Sequence, residues 1–122
     1  AAPAPDAALA RSARWGRAVM EQLLGLAEAM RGRADEATRA MNASVAAAEG
    51  DAWLHAVMLM RRALAHAVLG HPDAAMADYA AAVPRLRAVG EMWFLSLTHE
   101  GMAAVERGRG DLAAAAAHAR ES

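Results

Sequence analysis

His99-Glu100-Gly101-Met102-Ala103 is the stretch of this chain nearest to a catalytic signature, because "HE" opens the zinc-protease pattern in which two imidazoles one helical turn apart meet one metal. The second ligand position holds Ala103, and the five histidines (55, 66, 71, 99 and 118) include no pair spaced four apart. No metal site and no cofactor are therefore expected. Ser96, Thr98, His99 and Glu100 supply the residue types of a nucleophilic triad, but neighbours along a helix point in different directions. No catalytic residue is expected. The enzymatic alternative is a helical cleft in which Glu28, His66, Glu100 or Glu106 acts as acid or base. Two further strings are motifs by letter. "NAS" at 42–44 is a glycosylation sequon inside a helical pattern, and Arg109-Gly110-Asp111 spells the tripeptide that adhesion receptors read.

These residues are carried by a repeat. "WGRAVMEQLLGLAEAMRG" (15–32), "WLHAVMLMRRALAHAVLG" (53–70) and "WFLSLTHEGMAAVERGRG" (93–110) each run 17 residues from Trp to the final Gly, and the three Trp lie 38 and then 40 apart. A second stretch of helical composition follows each Gly. The unit is helix, Gly turn, helix. Gly32, Gly70 and Gly110 are the expected turn residues, where a chain leaving a helix needs positive φ. Asp35, Asp73 and Asp111 fall in or beside the next first turn, where a carboxylate complements the helix dipole. Arg109-Gly110-Asp111 is on this reading a third interhelix turn. "GRGD" at 108–111 also echoes "GRAD" at 32–35 and "GHPD" at 70–73 at a spacing of 38, which makes Gly108 a competing register. Pro84 predicts a kink or a shortened helix in the second unit.

Composition bounds the rest. The chain has 122 residues, of which 37 are Ala and five aromatic, enough for one modest core of closely packed helices. A formal charge of −1, with all 13 basic residues Arg, provides no field for nucleic acid or an anionic membrane surface. With no Cys, disulfides and thiolate chemistry are excluded. No window has 18 uninterrupted apolar residues, so no membrane span is expected. "AAPAPDAALA" reads as a linker or the remnant of a preceding element over 1–12. The cytoplasm is the expected compartment, with the periplasm as the alternative if a removed signal peptide precedes this stretch.

The repeat resembles the tetratricopeptide family, through Leu24-Gly25, "GRADEA" (32–37), "GHPDAA" (70–75) and "GDLAAA" (110–115). Units of 38 to 40 residues that open on Trp look more like the long-repeat variety found in large bacterial regulators of the MalT-like and LuxR type. The resemblance implies an all-α fold, a right-handed α-solenoid of about three helix-turn-helix repeats over 13–50, 51–90 and 91–122. It also implies that the first helix of each repeat lines a concave groove: Val19, Gln22, Leu23, Leu26 and Met30, then Val57, Met60, Arg61, Leu64 and Val68, then Leu97 and Glu100. Such a groove is Met-rich and apolar and suits a protein or peptide with an apolar segment. The implied function is a protein-interaction module of a larger bacterial regulatory protein; a purely structural spacer is a further alternative. The last helix ends in "LAAAAAHA" with almost no polar side chain, so a homodimer through an uncapped C-terminal face is expected.

Overall fold

The computed structural model describes residues 5–121, and these form five helices with no strand: α1 (Pro5–Met30), α2 (Ala34–Ala48), α3 (Ala52–Val68), α4 (Pro72–Ala88) and α5 (Met92–Glu121). Consecutive helices pack on one another, and α3 packs on both α1 and α5, whereas α2 and α4 do not touch. The central helix α3 thus meets each of the other four.

Three turns hold the hairpins in place by one hydrogen-bond pattern. Gly32 N–H donates to the Ala29 carbonyl and Arg33 N–H to the Glu28 carbonyl; Gly70 to Ala67 and His71 to His66, then Gly90 to Arg87 and Glu91 to Leu86, repeat it. These are Schellman closures, and each needs a left-handed residue at its centre. Gly32, Gly70 and Gly90 supply it, with φ of 76°, 77° and 73°. Asp35 and Asp73 sit in the first turns that follow and make no side-chain cap. α3 is capped instead by Asp51, whose Oδ1 accepts from Leu54 N–H at 3.0 Å.

Gly110 does not close a turn. α5 runs unbroken for 30 residues through Gly108 and Gly110, so 91–122 is not a helix-turn-helix, and Gly90 is the third left-handed glycine. The reason lies on α5. On α3, Ala56, Leu59, Met60 and Ala63 are all buried. Forty residues on, the same positions are Ser96, His99, Glu100 and Ala103, all exposed, with Glu106 and Arg107 continuing the polar face. That exposed, largely polar face contrasts with the buried one that α3 carries at the same positions. Residues 5–12, read as a linker, are the first turns of α1, and α4 is helical through Pro84 from Pro72 to Ala88.

Small residues set the interhelix distances. Ala18 is fully buried, and its carbonyl accepts from Ser44 Oγ on α2 at 2.7 Å. Gly25 lies against the Met41 side chain and Gly101 against the Tyr79 ring, each so closely that a Cβ would overlap its neighbour. The main core joins Leu54, Val57, Met58, Leu59 and Met60 of α3 to Tyr79, Ala82 and Leu86 of α4 and Leu95 of α5.

Candidate functional site

The odd-numbered helices carry all twelve residues expected to line a groove, and the structure divides them. Gln22, Val57 and Met60 are buried and belong to the interior; burial of Val57 and Met60 follows from their place in the central helix, packed from both sides. Val19, Leu23, Met30 and Val68 are open to solvent, Leu23 at 56% and Met30 at 74%. Leu26, Arg61, Leu64 and Leu97 are half-buried, and Glu100 is exposed. Val19, Leu23, Leu26 and Met30 follow one another at helical spacing on α1, and Leu64 and Val68 hold the positions of Leu26 and Met30 on adjacent α3. The outcome is an apolar stripe across α1 and α3.

Between α3 and α5 the stripe opens into a cleft. One part, of about 450 Å³, is lined by Met60, Arg61, Leu64, Leu97, Glu100 and Arg107 among others. A neighbouring part of about 400 Å³ shares Leu64, Tyr79 and Gly101 and continues along Ala104, Val105, Gly108 and Leu112. Burial pushes the Tyr79 hydroxyl above its usual range, so Tyr79 is neutral in this cleft.

An aromatic row crosses the same helices, at Trp15 in the first half of α1 and in the first turns of α3 and α5. Trp15 and Trp53 stack at 5.4 Å with rings 2° from parallel, and Phe94 meets Trp53 edge-on at 6.0 Å. The third member is thus Phe94 and not Trp93, which is 65% exposed and touches the row only through Phe94. Trp15 Nε1–H donates to Asp51 Oδ2 at 2.8 Å, and Arg11 pairs with the same oxygen at 3.3 Å. The Leu54 amide and then the Trp15 indole hold the Asp51 carboxyl below its usual range. Asp51 therefore caps one helix and anchors the Trp of another.

The polar centre of the molecule is an ion pair. Arg62 on α3 clamps Asp78 on α4 through Nε–Oδ2 at 2.7 Å and Nη2–Oδ1 at 2.8 Å, and its Nη1 donates to Asn42 Oδ1 on α2 at 3.2 Å. One guanidinium thereby ties together three helices. His66 Nε2 lies 3.8 Å from Asp78 Oδ2, while its Nδ1 is buried without a partner. Burial pushes His66 below the usual imidazole range, against the pull of the Asp78 carboxylate.

The residues that could have done acid–base chemistry stand apart. Glu28 pairs with Arg31 and Arg33 and Glu106 with Arg109; His66 serves the Asp78 pair, and among the described residues no ion pair or hydrogen bond joins Glu28, His66, Glu100 and Glu106 to one another. Thr98 is buried and donates to the Phe94 carbonyl within its own helix. Asn42 is exposed and accepts from Arg62, while Ser44, the third residue of the sequon at 42–44, is fully buried within α2. Among the described residues no group of three His, Asp or Glu could hold a metal ion, and no helix is long and apolar enough to cross a membrane. No protein-family model matches the chain, and neither a curated protein nor a solved structure matches it.

Proposed function

We propose that this chain is a protein-interaction module: a right-handed solenoid of tetratricopeptide-like hairpins that receives an apolar segment of another protein on the face of its odd-numbered helices. The stripe of Val19, Leu23, Leu26, Met30, Leu64 and Val68 carries the reading, because α1 leaves three large apolar side chains of its stripe in water although the chain has core enough to cover them. Large apolar side chains left exposed along one line of a helix are the surface that binding sites use. Support for the solenoid comes from the 38-residue repeat, the recurring Schellman turns, and the contact of odd helix with odd helix while α2 and α4 stay apart. The resemblance to long-repeat bacterial regulators extends the proposal to a module within a larger regulatory protein.

The stripe has the length and spacing to take an amphipathic helix that presents its own i, i+3, i+4 and i+7 apolar residues. Selection of peptides on the immobilised chain should enrich that pattern. Leu23→Glu and Met30→Glu should each weaken the selected peptide at least tenfold while leaving the helical circular dichroism unchanged. Binding that survives both substitutions would remove the stripe as the site.

A further inference from the structure

Tyr79 carries a polar group that the fold does not use. The residue is only 3% exposed, and the end of its ring lies against the α5 backbone at Gly101. Tyr79 and Gly101 line both parts of the cleft between α3 and α5, so the hydroxyl stands where those parts meet. Phenylalanine would fill the same space. A buried tyrosine hydroxyl ordinarily has a hydrogen-bond partner, and this one has none among the described residues. Only what enters the cleft can meet it.

Charge is gathered at one end of the cleft. The part of about 450 Å³, beside Leu97, carries Arg61, Arg107 and Glu100, none of which has an ion pair among the described residues. Arg61 lies over the Phe94 ring, 5.9 Å from its centroid. Two guanidinium groups against one carboxylate leave one positive charge there. The part of about 400 Å³ has Arg109 alone, and Arg109 is committed to Asp73 and Glu106. The rest of that wall is apolar, with Leu64, Pro72, Val105 and Leu112 its largest side chains apart from Tyr79. From Leu97 to Leu112 the cleft follows α5 for about 22 Å.

We infer that the cleft binds an unbranched aliphatic carboxylate, whose head group accepts from the Tyr79 hydroxyl between Arg61 and Arg107 and whose chain lies along Leu64, Val105 and Leu112. Both parts have the volume of small-molecule sites. A long, aliphatic channel with one cationic end suits a flexible chain that bears a single negative charge. Tyr79 is neutral in the cleft and keeps the proton that it donates. This site goes beyond the peptide stripe, which lies on α1 and α3 and has only Leu64 in common with it.

Titration calorimetry of the full chain with decanoate, below its micellar range, tests the site, with decanol and decyltrimethylammonium as the uncharged and cationic controls. Decanoate should bind with a dissociation constant below about 1 mM, and decanol and the cation at least about tenfold more weakly. Octanoate, shorter by two methylenes, should bind about fifteenfold more weakly than decanoate. Tyr79→Phe should weaken decanoate at least about fivefold without lowering the melting temperature of the unliganded chain, because the hydroxyl it removes has no partner to lose. Arg61→Gln with Arg107→Gln should weaken it at least about tenfold, and Glu100→Gln should strengthen it. Leu23→Glu, which removes the peptide, should leave decanoate bound as before. Decanoate that fails to bind at about 1 mM overturns the inference, as do equal affinities for the three amphiphiles. So does an affinity that Tyr79→Phe or the double arginine variant leaves unchanged. Loss of decanoate in Leu23→Glu, with the helical circular dichroism kept, would put the acid on α1 and overturn the cleft as its site.

Discussion

Gly110→Ala separates a continuous α5 from a third hairpin by the sign of its effect. Gly110 is helical and a Cβ there would meet nothing within 4 Å, so the substitution removes the backbone freedom of glycine and adds no clash. The gain is about 0.8–1.0 kcal/mol, the difference in helix propensity between the two residues. Beyond Arg109 the helix has little burial in its own chain, so the gain belongs to local opening and not to global unfolding. A change of that size slows opening about fivefold. Amide hydrogen exchange over residues 107–117, measured at low protein concentration to keep association out, should slow by that factor. Gly70→Ala should act the other way: with φ at 77° a Cβ is strained by about 1 kcal/mol. For a chain of this length that lowers the melting temperature by about 3–6 °C. Faster exchange around position 110 in Gly110→Ala, or a melting loss matching that of Gly70→Ala, would refute the continuous helix and restore the turn.

Arg62→Ala strands the Asp78 carboxylate among α3 and α4 and should cost about 3 kcal/mol, whereas Arg62→Met with Asp78→Leu should recover most of it, as paired apolar replacements of buried ion pairs do; chemical denaturation of the three variants measures both. Stability should also fall on acidification. His66 and His55 are pushed below the usual imidazole range mainly by burial, so the unfolded chain takes up their protons first, and the stability they contribute is present above about pH 6.5 and lost as pH falls through their lowered values. His66→Gln should flatten the melting-temperature profile between pH 7.5 and 5, and an unchanged slope would contradict the burial argument.

Much of the fold was legible because its signals are local and recur. Gly32 and Gly70 stand at a fixed distance from a Trp, and each turn needs only its own four or five residues to form. Gly110 carries the same local signal. What cancels it is the polar face of α5 from Ser96 to Arg107, a property of packing that emerges only when those positions are compared with their buried counterparts on α3. The Arg62–Asp78 clamp spans 16 residues and two helices, a separation for which no spacing rule exists. The odd-helix face was legible as a set of twelve positions. Their division into interior and surface was not, since Met60 and Met30 occupy similar helical patterns and differ only in whether a helix lies on the far side. The three Trp that open the repeat gave no sign of a ring row, in which Phe94 and not Trp93 meets Trp53.

The central claim is that binding happens on the odd-numbered helices, and chemical-shift mapping of the isotope-labelled chain with a selected amphipathic peptide tests it most directly. The account predicts that the largest perturbations fall on Leu23, Leu26, Met30, Leu64 and Val68, with Glu36, Arg39 and Ala80 on α2 and α4 unmoved. Perturbations concentrated on α2 and α4, with the α1 stripe silent, would contradict it.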